Sequence, residues 1–189
     1  MNATPQSVAE LDAGFPRRRC SAAGIIHDQY GRILVVKPSY RPGWLLPGGL
    51  VEALETPASA LRREVMEETG IATAIVRMLC MDMLPARDGF SESVHFLFEC
   101  APTHAEGDRS LPVDGIEILE ARFLEAGQAM ALLAAPIRRR LETVLNGRTG
   151  YLEDGHFIVP FACGEDAPHV TTPRSAPLQA QPLQEEYRP

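Results

Sequence analysis

Glu64, Glu67 and Glu68 stand three and four residues apart in the middle of this chain. On a helix that spacing puts all three carboxylates on one face. Like charges so placed repel, each adjacent pair costing about 0.2–0.5 kcal/mol on an isolated helix. A cation gathered between them reverses the sign. Protein carboxylates, completed by water and phosphate oxygens, suit Mg²⁺, so the spacing points to chemistry on a phosphate with a divalent ion. A solvated acidic helix face would show the same three residues, and the flanking sequence has to decide.

The elements that would position them are legible. Thr56 followed by Pro57 predicts a helix start, a hydroxyl cap before a proline at the first helical position, and Gly70 predicts its end. Ala58, Leu61 and Val65 form an apolar stripe beside the glutamates, as a helix docked on a sheet requires. Ahead of it, residues 38–49 hold Pro38, Pro42 and Pro47 with Gly43, Gly48 and Gly49, which predicts a structured loop. Gly48 and Gly49 let the backbone approach a phosphate or take positive φ; an ordinary tight turn would use them too.

Gly49, Glu55, Arg63-Glu64-Val65, Glu67-Glu68 and Gly70-Ile71 together reproduce the signature of the Nudix box at every specified position. With seven fixed residues and two aliphatic ones, a chance match is below about one in 10⁹ per start site. The chain resembles the Nudix hydrolase family, by the box itself over 23 residues and compatibly over about Arg17 to Gly147. The resemblance implies an α/β fold, the Nudix-type α/β/α sandwich with a mixed β-sheet and a loop–helix–loop catalytic box. It implies hydrolysis of a nucleoside diphosphate linked to another moiety: a nucleoside triphosphate, an oxidised nucleotide, or a nucleotide sugar such as ADP-ribose. Glu64, Glu67 and Glu68 would hold Mg²⁺, or Mn²⁺ in its place. Arg63 would hold Glu67 one turn on or brace the loop containing Glu52 and Glu55. Glu55 matches the family's upstream glutamate, and Glu52 a common variant of the loop. Leu54 departs from the pattern, because many relatives carry glycine there. Glu64 is the first candidate for general base and Glu117 the second. Clustering is expected to raise the carboxylates' pKa values until a metal binds.

Around the box, Tyr40, Arg41, Trp44 and Phe96 are candidates to line a substrate cleft. Trp44 could equally pack beneath the loop, and Phe96, two residues from Phe98 on a strand, could equally be core. Glu99 and Glu117 are further candidate ligands or bases. Arg17-Arg18-Arg19 is either a phosphate clamp or a solvated run. Pro85 lies near, but not at, the position where ADP-ribose-specific relatives carry proline, and no motif of the NADH- or coenzyme A-specific members is present.

The 189 residues allow one domain with a full core, plus tails. We read 1–16 as a flexible lead-in, 17–147 as the Nudix domain, 148–163 as an extension with a short hairpin, and 164–189 as a disordered, proline-rich tail. Strands are expected at Cys20–His27, Ile33–Lys37, within Ile71–Leu84, at Ser93–Cys100 and at Ile116–Phe123. Helices are expected at Ala126–Leu133, broken at Pro136, and at Ile137–Leu145. A net charge of −7 argues against nucleic acid as a partner. No apolar run approaches the ~20 residues that span a bilayer, so no membrane partner is expected. Residues 1–15 lack a signal-peptide core, and the four cysteines and five histidines are scattered without ligand spacing. A cytoplasmic protein acting on a small nucleotide is expected, and a homodimer is left open. The competing reading is a Nudix-like sensor that binds a nucleotide without cleaving it; complete box glutamates and a short tail speak against it.

Overall fold

β1 (Arg19–Ile25) and β5 (Ser93–Cys100) lie side by side and parallel, in register from Arg19 opposite Ser93 to Ile25 opposite Glu99. This pair is the centre of the fold. A computed structural model describes residues 7–87, 89–103, 111–113 and 115–161. The main sheet has six strands in the order β3-β1-β5-β4-β7-β8, with β3 at Gly48–Leu50, β4 at Ile75–Leu84, β7 at Gly150–Glu153 and β8 at His156–Pro160. β1–β5 and β4–β7 are parallel and the other pairs antiparallel, so the sheet is mixed. A second sheet pairs β2 (Ile33–Pro38) with β6 (Ile118–Leu124).

The turn between β1 and β2 follows from Asp28. Its buried carboxylate accepts the backbone N–H groups of Tyr30 and Arg32, both at 2.9 Å, and the Arg32 Nε at 2.7 Å. The turn hands the chain from the large sheet to the small one.

Helices cover the main sheet on both faces. α2 (Pro57–Thr69) lies over β1 and β3, with Ala60, Leu61 and Val65 wholly buried beside Ala22, Phe98 and Phe123. Burying each large side chain contributes about 1.5–3 kcal/mol. Gly24 permits that approach, since a Cβ there would meet Leu61 Cδ1 at 3.2 Å and Cys100 Sγ at 3.1 Å. On the other face α3 (Ala126–Leu132) and α4 (Ala135–Leu145) pack Ala129, Leu133 and Leu141 against Ile25, Leu79, Leu97 and Leu152. Arg140 of α4 reaches Asp82 of β4 at 2.6 Å, both buried, and the Gly155 N–H donates to the same carboxylate at 3.0 Å.

Three local features differ from expectation. Val8–Ala13 forms a short helix, α1, capped by Ser7 and Glu10 but burying nothing. The loop before the box ends in a strand, β3, whose glycines pair with β1. Pro136 opens α4 rather than merely ending α3, because a proline in a first turn removes no helical hydrogen bond. The hairpin at Gly150–Pro160 lengthens the main sheet through β7. The expected tail at 164–189 lies outside the described residues.

Candidate functional site

α2 is set as its sequence suggests. The Thr56 side chain accepts the Ser59 N–H, Pro57 begins the helix, and Gly70 ends it with φ +67°. This fixes the rotation that turns Glu64 and Glu68 inwards over β3. The two glycines of β3 then serve different needs. Gly48 has φ +134°, and a Cβ on it would lie 2.2 Å from the Ala22 carbonyl oxygen, so backbone itself excludes a side chain. At Gly49 a Cβ would lie 2.4 Å from the Glu64 carboxylate, so what is excluded is competition for that carboxylate's place. The Gly48 N–H donates to Glu68 Oε2 at 2.8 Å.

Arg63 is the hub. Its Nε and Nη2 donate to the two Glu55 oxygens at 3.1 and 3.0 Å, and Nη2 also to the Leu50 carbonyl at 3.1 Å. Nη1 donates to Glu64 at 2.9 Å and to Glu67 at 3.1 Å. Both roles open in the sequence, holding Glu67 and bracing the loop, are therefore filled at once. The Arg63 hydrogen bonds, with the Glu52 N–H, hold Glu55 below the usual carboxylate range, and Glu55 in turn raises the arginine. Glu64 is pushed up. Burial is the first cause, opposed by Arg63 and reinforced by Glu67 and Glu117. Loss of water therefore outweighs the like-charge repulsion that the sequence suggests.

The Glu52–Glu55 turn closes through the Glu52 N–H on Glu55 Oε2 at 3.1 Å and the Glu55 N–H on the Glu52 carbonyl at 3.2 Å. Leu54 sits within it at φ +67°, fully exposed. A left-handed conformation costs a non-glycine residue about 1–2 kcal/mol, so Leu54 is accommodated in this turn as strain.

The remaining candidates divide. At the end of the small sheet the Ser39 N–H donates to the Glu117 carbonyl at 2.8 Å, which brings the loop of Tyr40 and Arg41 beside Glu117. Tyr40 is exposed, 65%, yet partial loss of water raises its phenol, and the charges of Glu117, Glu68 and Glu64 raise it further, with Arg41 opposing. Tyr40 and Glu117 therefore stand in the field of the box carboxylates. Trp44 packs partly buried against the core near Leu133, with the Arg122 guanidinium 5.4 Å from its ring centroid. Phe96 pairs with Ala22, which pairs with Gly49, so it stands two strands, about 10 Å, from the box glycine, on the α2 side of the sheet. It stacks on Phe98 at 6.4 Å against the α2-side core. Glu99 is taken by Arg77 at 2.5 Å. The arginine run is divided among partners, Arg17 on Asp12 and Arg18 on Glu92 at 2.7 Å each, and Arg19 on the Ser91 carbonyl at 2.8 Å.

The donor set of Glu64, Glu67 and Glu68 is all hard oxygen on one helical face, and the cradle over Gly49 keeps Glu64 in place, which fits a divalent ion in chemistry. As the side chains stand, no three carboxylate, histidine or cysteine groups among the described residues converge enough to hold one. Arg63 draws Glu64 and Glu67, and the Gly48 N–H draws Glu68.

His95 carries no role in the sequence reading. On β5 its Nδ1 lies 2.5 Å from Ser21 Oγ and its Nε2 2.8 Å from Ser93 Oγ. Burial, then the charges of Arg140 and Arg19, push its pKa down to about 3. A histidine alternating with Leu97 on an apolar strand is the only sequence sign of this inward-facing network.

The family model of the NUDIX domain matches residues 17–144. The chain belongs to the Nudix family. Among curated Nudix relatives, it is similar to a MutT-like protein of Streptomyces ambofaciens, 40% identical over 60 residues, covering 32% of this chain and 39% of that protein. It is also similar to the CMP-5'-(N-acetyl-N-hydroxy-3-aminopropyl)phosphonate hydrolase of Streptomyces rubellomurinus, 34% identical over 141 residues, covering 64% of this chain and 65% of that protein. The chain thus spans less than two thirds of the length of either. Among solved structures, the MutT protein from Methanosarcina mazei Go1 has a TM-score of 0.60 at 20% identity, over 69% of this chain and 94% of that one. The NUDIX domain of Shewanella oneidensis NrtR, complexed with ADP ribose, has a TM-score of 0.60 at 19% identity, over 75% and 99%. At these identities the likeness is one of fold.

Proposed function

We propose that this Nudix protein is a pyrophosphohydrolase that adds water across the phosphoanhydride of a nucleoside diphosphate linked to another moiety. The observation that carries the reading is the complete carboxylate face, Glu64 and Glu68 turned in over Gly48 and Gly49 and governed by Arg63. Relatives named as a phosphonate hydrolase and as a putative 8-oxo-dGTP diphosphatase of Bacillus subtilis support the reaction class. Glu64, Glu67 and Glu68 are the residues that would hold Mg²⁺ or Mn²⁺. A divalent ion there supplies charge neutralisation and Lewis acidity at the diphosphate.

The chain's own residues do the rest. Arg63 keeps Glu64 and Glu67 within one guanidinium's reach and ties them to the Glu55 loop. Glu64 is the first candidate to take the proton of the attacking water, with Glu117, whose charge reaches Glu64, the alternative. Tyr40 and Arg41, on the loop that Ser39 ties to Glu117, would meet the substrate. A cytoplasmic setting agrees with Cys80 and Cys100 being free buried thiols. Among the described residues no helix is long and apolar enough to cross a membrane.

The test is Mg²⁺-dependent phosphate or pyrophosphate release across nucleoside triphosphates, dinucleoside polyphosphates and nucleotide sugars, with Glu68→Gln as control. Turnover lost in the variant is expected. No turnover across the panel, with tight nucleotide binding kept, would replace the hydrolase with a sensor.

A further inference from the structure

A guanidinium has five N–H donors, and Arg63 has an acceptor for each of them. Nε and Nη2 serve the two Glu55 oxygens, and Nη2 also serves the Leu50 carbonyl. The two Nη1 hydrogens go to Glu64 Oε1 at 2.9 Å and Glu67 Oε2 at 3.1 Å. One nitrogen of a cation therefore stands between two of the three carboxylates that would hold a divalent ion. The fork is full.

The five contacts are not equally firm. Glu55 and the Leu50 carbonyl grip the far side of the guanidinium, independently of Nη1. Glu64 is mostly buried and sits in the cradle over Gly49, with only Oε1 on Arg63, so Oε2 is left to offer. Glu68 is held separately by the Gly48 N–H at 2.8 Å. Glu67 is the loose member. Its side chain is 58% exposed, and among the described residues Nη1 is its carboxylate's only hydrogen-bond partner. An exposed ion pair one helical turn apart is a weak tie. Arg63 is itself 27% exposed, so water can serve the Nη1 hydrogen that Glu67 gives up. We propose that Arg63 Nη1 stands in for the divalent ion in the ion-free protein, and that Glu67 is the one ligand that changes hands. Glu67 leaves Nη1 for the ion, while Glu55, Leu50 and Glu64 stay on the guanidinium. This rests on the reading that Glu64, Glu67 and Glu68 hold Mg²⁺, and adds an order to it: Glu64 and Glu68 are set beforehand and Glu67 is recruited. The exchange also accounts for the described side chains not converging as they stand.

The test is NMR on the whole chain with isotope-labelled arginine nitrogens, which reports the Nε and Nη hydrogens separately. The Arg63 signals are assigned by their loss in Arg63→Lys. Mg²⁺ alone is titrated in, and calorimetry on the same samples measures its binding. Exchange of the Nη1 hydrogens with water is expected to speed up severalfold as Mg²⁺ saturates, with Nε exchange unchanged. In Glu67→Ala, Nη1 exchange should be fast before Mg²⁺ is added and gain nothing from it. Glu67→Gln keeps an acceptor for Nη1 but is a poor ligand, so Nη1 should stay protected in Mg²⁺. Mg²⁺ binding with Nη1 exchange unchanged, or with Nε released as well, overturns the exchange and leaves the ion site standing. Absence of Mg²⁺ binding overturns the ion site, and the exchange with it.

Discussion

The Glu64 carboxylate occupies the space that a side chain on Gly49 would need, with the missing Cβ only 2.4 Å from it. Next door, Gly48 is kept bare by the Ala22 carbonyl, 2.2 Å from its missing Cβ, and by its positive φ. Adjacent glycines thus separate function from folding. Gly49→Ala should displace only the end of a flexible side chain. Stability should hold within about 1 kcal/mol, while turnover falls about 100-fold, the scale of a misplaced catalytic group. Gly48→Ala should destabilise by about 1–3 kcal/mol or more. Thermal melts and kcat on the two variants check the contrast; equal loss of stability would sink it.

Arg63→Lys keeps the charge but loses the planar fork that serves two Glu55 oxygens, Glu64, Glu67 and Leu50 together. Turnover is expected to drop about 10–100-fold, as when a residue that orients metal ligands is changed. The Mg²⁺ concentration for half-maximal rate should rise with it. A variant with normal kcat and normal Mg²⁺ dependence would show that the hub is ornamental.

His95 gives stability a pH dependence. The unfolded chain takes up a proton on histidine as pH falls through about 6.5, whereas folded His95 does so only near 3. Its contribution to stability is therefore complete above pH 6.5 and withdrawn as pH falls, by up to about 1.4 kcal/mol per unit. His95→Gln should flatten urea-derived stability between pH 6.5 and 5. An unchanged slope would mean that another group titrates.

Asp82 and Arg140 form a buried pair between β4 and α4. Asp82→Asn leaves Arg140 charged and badly served, and should cost about 3–5 kcal/mol, read as a lowered denaturation midpoint.

Leu54→Gly should raise stability by about 0.5–1 kcal/mol, the relief of left-handed strain less glycine's greater unfolded-state freedom. A destabilised variant would mean that the leucine packs in the folded chain.

The sequence carried α2 almost residue for residue, because the Thr56 cap, Pro57 and Gly70 act locally and the apolar stripe sets the rotation. The carboxylate face and the Arg63 partners lay within that same short reach. Strand positions were readable where apolar runs were long, as at β5, but not β3, whose three residues owe their extended form to pairing with β1. Sheet order, the packing of Phe96 on the α2-side core, and the burial that dominates Glu64 all depend on chain segments far apart. The serine–histidine network has the same cause, since Ser21 and His95 meet only when β1 and β5 pair. Leu54 was visible as a departure, yet its strain is a property of φ, which composition does not reveal.

The central β1–β5 pairing also sets an order of assembly. β1 is made before its parallel partner, which follows some 74 residues later, Ser21 meeting His95. Through that interval the newborn chain holds an apolar strand with one side unfilled, while β4 and β5 are free to zip to each other first. Closing so long a loop is slow, and an open strand edge in waiting is exposed to other chains. Yield in the cell should therefore track synthesis speed and chaperone supply more closely than the finished fold's stability.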